Sequence, residues 1–255
     1  MTNIIILSLL FSVGFNLLMF IPAFIWKTDK LTDLSYSITF FVISVVLFLL
    51  FPYSIYSLLI TLMVCLWAIR LGSYLFIRIR KTKKDKRFDG MRESFTRFLK
   101  FWLLQGLSVW VIMLAVIMFY NSGETILTEI SILGLSIWLI GLIIETVADI
   151  QKYSFINKEE NRGKWINRGL WKYSRHPNYF GEILIWLGIF MFVLPTLSLT
   201  NMFIAFMSPL FIFILIRFVS GVPMLEKSAE RKWGENSEYK KYKEQTNLLI
   251  VGWRK

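Results

Sequence analysis

The chain has 255 residues, 56% of them hydrophobic, with a mean hydropathy of +0.57 and a formal net charge of +12. That apolar fraction excludes an ordinary water-soluble domain, because several windows of about 20 apolar residues are too long and too greasy for anything but a bilayer. One cysteine (Cys65) and one histidine (His176) exclude an internal disulfide and argue against a protein-ligated zinc or haem centre, so no metal is expected.

Seven apolar spans follow in chain order, at 3–25, 33–51, 53–77, 98–120, 128–150, 178–195 and 200–222. They predict an all-α polytopic membrane protein, a bundle of about seven transmembrane helices forming a single integral membrane domain over residues 1–255. The first span lacks a basic leader and a small-residue cleavage site, so it reads as a retained helix. Phe51-Pro52-Tyr53 predicts a tight turn, and 121–123 and 195–196 make the other short turns. The loop at 78–97 and the tail from 223 onward are the sizeable soluble pieces. The Glu/Lys mixture at 224–245 predicts an amphipathic helix on the membrane or over the loops. Its aromatic residues, Trp233, Tyr239 and Tyr242, read as packing.

Charge sets the orientation. Of the 29 Lys and Arg residues, all but Arg70 and Arg217 fall in the first, third and fifth loops, the segments that flank them and the tail, which seven spans place on one side. The positive-inside rule makes that side cytoplasmic, with the N-terminus outside and the C-terminus inside. Topology and contact with anionic lipid then account for the positive balance, leaving no role for nucleic acid as a partner.

The segment 161–188 concentrates the functional signal. A basic loop with Lys164, Lys172, Arg175 and His176 runs into Pro177, which suits the first turn of a helix. Free N–H groups and the positive dipole end of that helix would face the loop, a setting suited to phosphate. Asn178 and Glu182 are four apart and share one helix face. The bland alternative is that the Lys and Arg residues only orient the membrane helix.

Other ionisable groups inside the spans share this depth. Arg70 and Tyr74, and Glu145 and Asp149, are further four-apart pairs; Gln105 and Arg217 lie near the same boundary. Intramembrane ionisable residues are functional candidates by default. They predict a polar cavity open to the cytoplasm, suited to a charged soluble cofactor and an apolar substrate from the lipid; buried ion pairs are the structural alternative.

The stretch from Gly169 to Glu182, reading Gly-Leu-Trp-Lys-Tyr-Ser-Arg-His-Pro-Asn-Tyr-Phe-Gly-Glu, resembles the steroid 5α-reductase superfamily, in particular its bacterial branch. Trp67-Ala68-Ile69-Arg70-Leu71-Gly72, then 85–88, Ser220-Gly221-Val222-Pro223, and Tyr239, Tyr242 and Thr246 support the likeness, which covers about 60–246. The resemblance implies NADPH-dependent reduction of an activated carbon–carbon double bond in a lipid, in a bacterial inner membrane. It implies that Asn178 and Glu182 hold the cofactor together with Asp149, Glu145, Lys164, Arg70, Tyr74 and Arg217, beside Arg175, His176 and Tyr179 of the basic stretch. Glu145 is an altered identity there. The family's proton-donating tyrosine is Trp67 here, and residues 33–51 lack the Gln-Glu pair that positions a steroid carbonyl. Asp33, Tyr36 and Tyr74 are the candidate replacements.

A second family shares Arg-His-Pro-x-Tyr-x-Gly, present here from Arg175 to Gly181: the S-adenosylmethionine-dependent isoprenylcysteine carboxyl methyltransferases. They carry a Glu-Glu pair early in the tail, where this chain reads Leu225-Glu226-Lys227-Ser228. The single glutamate and the Arg70, Tyr74 and Asp149 spacings favour the reductase. A non-catalytic protein retaining a nucleotide site is the third reading.

Overall fold

The computed structural model describes residues 2–82, 88–122 and 127–253. Among these the chain is all-helical, without a strand. The helices are α1 (Thr2–Ile25), α2 (Lys30–Leu50), α3 (Ile55–Thr82), α4 (Phe95–Ser122), α5 (Glu129–Ile156), α6 (Pro177–Val193), α7 (Leu199–Ile214), α8 (Val222–Trp233) and α9 (Ser237–Gln245). Seven are long and apolar enough to cross a membrane, as the hydropathy predicts, and the protein is an integral membrane protein. Leu10, Leu18, Leu49, Leu62, Leu104, Leu139 and Phe203 are exposed apolar side chains on these helices, as expected for a surface that faces lipid rather than water.

The chain divides into two compact units, residues 1–132 with 189–208, and residues 133–188 with 209–255. In the first unit α1, α2 and α4 are joined by polar groups that have no water to bond in a bilayer. Gln105 Nε2 lies 2.8 Å from Asn16 Oδ1, 3.0 Å from the Thr32 carbonyl and 3.1 Å from Ser35 Oγ. Asn16 Nδ2 in turn donates to the Ser12 carbonyl and to Thr39 Oγ1. Gln105 is therefore interhelical glue. Beside this network Phe20, Ala23, Phe88, Phe98 and Trp102 form an aromatic core, and Arg92 makes a buried ion pair with Asp29 at 3.0 Å. Of the stretch 85–88, Phe88 belongs to that core, while Asp85, Lys86 and Arg87 lie outside the described residues.

In the second unit α5 and α6 run antiparallel and touch backbone to backbone. A Cβ on Gly181 would stand 2.6 Å from the Glu145 nitrogen and 2.7 Å from the Gly141 carbonyl; one on Gly188 would stand 2.5 Å from the Trp138 nitrogen and 2.6 Å from the Gly134 carbonyl. Two glycines seven apart on each helix thus set the crossing, the small-residue packing that membrane helices use. α6 opens at Pro177, as the sequence predicts. The last span departs from a plain helix: after α7 a π-helical turn, Leu215–Val219, carries Arg217, and Gly221 then breaks the path. The tail is two helices rather than one, separated at Gly234–Asn236, with the Asn236 side chain capping α9 by accepting from Glu238 and Tyr239 N–H groups.

Candidate functional site

The basic loop between α5 and α6 is held from two sides. On one side, Trp171 Nε1 donates to the Ala148 carbonyl at 3.0 Å and the Leu170 N–H donates to Gln151 Oε1 at 3.0 Å, docking the loop on the last turns of α5. Gly169 fits there because its φ is +60° and any Cβ would strike the Gln151 side chain at 2.5 Å. On the other side the C-terminal tail straps the loop down. Tyr242 Oη donates to the Trp171 carbonyl at 2.7 Å, Ser174 Oγ to the Leu249 carbonyl at 2.7 Å, and the Arg175 N–H to the Asn247 carbonyl at 2.9 Å. Trp233 Nε1 reaches the Gly163 carbonyl at 2.7 Å and pins the preceding turn.

This strapping encloses a cavity of about 270 Å³ whose lining includes Lys164, Trp165, Trp171, Arg175, His176, Glu226, Lys232, Trp233, Tyr239 and Tyr242. Its walls are aromatic: Trp165 lies 5.2 Å from Tyr239 and 6.0 Å from Trp233 between ring centroids. Its rim is basic, with Lys152 stacked over Trp171 at 4.8 Å. Among the described residues Glu226 is the sole acid on the lining, and it is already engaged. Glu226 Oε1 is 2.8 Å from His176 Nε2, and Glu226 Oε2 is 2.8 Å from Arg175 Nη1, an ion pair out of hydrogen-bonding alignment. Three buried polar atoms on this lining have neither a hydrogen-bond nor an ion-pair partner among the described residues: Trp165 Nε1, Arg175 Nε and His176 Nδ1. Buried polar groups are normally satisfied, so this cluster points to a ligand.

Burial holds the His176 imidazole below its ordinary range; hydrogen bonding to Glu226 opposes this, and Lys152 and Arg175 reinforce it. The ring is therefore neutral at pH 7, with the proton on Nε2 facing the carboxylate and a bare lone pair on Nδ1. Since the folded value lies below the unfolded one of about 6.5, the unfolded chain takes up a proton first as pH falls. The stabilisation by neutral His176 is present above about pH 6.5 and is lost as pH falls toward the folded value. Thermal unfolding in detergent should show this loss below pH 6.5, and His176→Gln should remove that part of the pH dependence.

The structure gathers some predicted residues and leaves others apart. Lys164, Arg175 and His176 share the cavity. Tyr179 stacks on His176 at 5.8 Å and its ring edge meets Gly221. Glu145 and Asp149 are both 3% exposed on α5, and the glycine register brings Glu145 to the first turns of α6, which carry Asn178 and Glu182. Asn178 Oδ1 is buried without a hydrogen-bond partner among the described residues. Arg217 sits in the π-helical turn with its guanidinium 4.9 Å from the Phe218 ring. In the first unit, Arg70 lies 5.8 Å from the Tyr74 ring, Asp33 is ion-paired with Arg78 at 3.2 Å, and Tyr36 packs edge-on against Phe40 at 4.9 Å. Trp67 is fully buried, 5.0 Å from Phe40, as a packing residue. Sequence reasoning missed the tail aromatics and Lys232 as cavity walls. The signal was three large aromatic rings in an otherwise charged tail.

These features define the class: an integral membrane protein, all-helical among the described residues, with a basic, aromatic cavity in its second unit. The chain belongs to the DUF1295 family, described as proteins of unknown function, which it matches over residues 19–246. Neither the curated proteins nor the solved structures contain a match.

Proposed function

We propose that this protein is an NADPH-dependent reductase of an activated carbon–carbon double bond in a lipid, related to the steroid 5α-reductases and working at the cytoplasmic face of a bacterial inner membrane. The observation that carries the reading is the cavity of the second unit, which joins a cluster of aromatic rings to Lys152, Lys164, Arg175 and Lys232 and leaves three buried polar atoms without partners among the described residues. Stacking suits a nucleotide base, and the surplus of cations suits phosphates. S-adenosylmethionine carries a sulfonium cation, which this rim repels.

When bound, NADPH supplies a hydride. The chain's own residues bind, orient and protect. Trp165 Nε1 and Arg175 Nε donate hydrogen bonds, while His176 Nδ1 accepts one. Asn178 Oδ1 accepts from an amide, and Glu145, Asp149 and Glu182 fix polar groups at the opening of α6. The apolar spans exclude water from the reacting end. Trp67 has no acidic proton to give, so the proton comes from a group other than the residue at the family's tyrosine position.

Asn178→Ala and Asp149→Ala should each weaken NADPH binding by about tenfold or more while leaving the protein inserted and folded, as befits loss of a buried polar contact. Parent-like NADPH affinity in both variants would refute the site. The methyltransferase reading is favoured by one observation, the closing of Glu226 onto both Arg175 and His176, because that family places a glutamate pair in this part of the tail.

A further inference from the structure

From the cavity's two unlike ends we infer that Lys232, at the end of α8, selects a 2′-phosphorylated dinucleotide over its unphosphorylated counterpart; this rests on the NADPH reading above. One end holds Arg175, His176 and Glu226. Its charge is partly cancelled, since Glu226 engages both neighbours. Lys152 belongs to this end, because its charge is felt at His176 and its ammonium lies over Trp171. The other end is the pair of rings Trp165 and Trp233, with Trp165 Nε1 buried and without a hydrogen-bond partner among the described residues, and Tyr239, whose phenol feels both Glu226 and Arg175, joins the two ends.

A purine fits the ring end. It offers a flat face for the rings, which a phosphate or a sugar lacks, together with a ring-nitrogen lone pair for the Trp165 N–H. The ribose attached to that base carries the 2′ oxygen, so a phosphate there emerges at the border of the ring cluster. Lys232 stands on that border, with Nζ 5.5 Å from the Trp233 ring centroid and no ion pair among the described residues. Its neighbour on the lining, Lys164, is exposed beside Trp165 and adds to the field. The pyrophosphate is then left for Arg175 and Lys152 at the opposite end. In this arrangement discrimination between the two dinucleotides belongs to α8, while affinity common to both belongs to the α5–α6 loop.

The test uses the detergent-purified full chain and four probes, NADPH, NADH, 2′,5′-ADP and 5′-AMP, titrated against parent, Lys232→Glu and Lys241→Glu. Lys241 is exposed on α9 and does not line the cavity, so its variant controls for net charge. The expected result is a loss of about tenfold or more in affinity for NADPH and 2′,5′-ADP in Lys232→Glu alone, from losing a charge-assisted contact and gaining a repulsion. NADH and 5′-AMP should be unaffected. An unchanged NADPH-to-NADH affinity ratio in Lys232→Glu, with NADPH still bound by the parent, overturns the inference and leaves the reductase reading standing. Failure of the parent to bind any of the four overturns both.

Discussion

Glu226→Ala should unfold more easily than the parent yet keep its affinity for NADPH. The carboxylate is the counter-ion of Arg175 and the acceptor for His176, whose side chains are 13% and 6% exposed. Removing one member of a largely buried set leaves an uncompensated cation, a loss of about 3 kcal/mol. The same change makes the cavity more positive, so a phosphate-bearing ligand should bind at least as tightly and should restore more stability to the variant than to the parent. Thermal unfolding with and without NADPH reads both effects. If Glu226→Ala loses NADPH binding outright, the carboxylate is a ligand contact rather than an internal counter-ion. If it instead loses binding of S-adenosylmethionine, the methyltransferase reading takes over.

Gly181→Val should be the most damaging single change in the α5–α6 pair. The new side chain would enter a space bounded by backbone, the Glu145 nitrogen and the Gly141 carbonyl, neither of which has a rotamer to relax. Overpacking of this kind costs about 1–3 kcal/mol where side chains can yield, and more where they cannot. The helices must separate, and Glu145 then moves away from the turn that carries Asn178 and Glu182. Unfolding in detergent should shift strongly for Gly181→Val and mildly for Gly14→Val, since nothing lies within 4 Å of a Cβ at Gly14. Equal effects would show that the close crossing is not a determinant of stability.

The membrane fold was legible because its signal is local. Each span carries its own run of apolar residues, and the turns at Pro52 and the helix start at Pro177 follow from the chemistry of proline alone. The helix crossing was half legible: Gly134 and Gly141, and Gly181 and Gly188, show the same seven-residue spacing in neighbouring spans, though nothing in one chain says that they face each other. The cavity was the least legible part. It is built from 152–176 and 225–242, segments separated by two membrane spans, and only tertiary approach makes Trp233 and Tyr239 neighbours of Trp165. Local pattern gave those rings no partner, so they read as packing. Gln105 shows the opposite case. A polar residue in a span reads as lining a cavity, yet three hydrogen-bond contacts commit it to Asn16, Thr32 and Ser35. Arg175 and His176 stood out because they crowd a single helix start, where backbone N–H groups and basic side chains reinforce one another, whereas Lys164 entered through the family resemblance.

Titration of the detergent-purified parent protein with NADPH and with S-adenosylmethionine in parallel, following the fluorescence of the cavity tryptophans, separates reductase from methyltransferase. Saturable NADPH binding that weakens with salt, as contacts between lysines and phosphates require, is expected, with no binding of S-adenosylmethionine. Saturable binding of S-adenosylmethionine without NADPH binding would contradict the reductase reading.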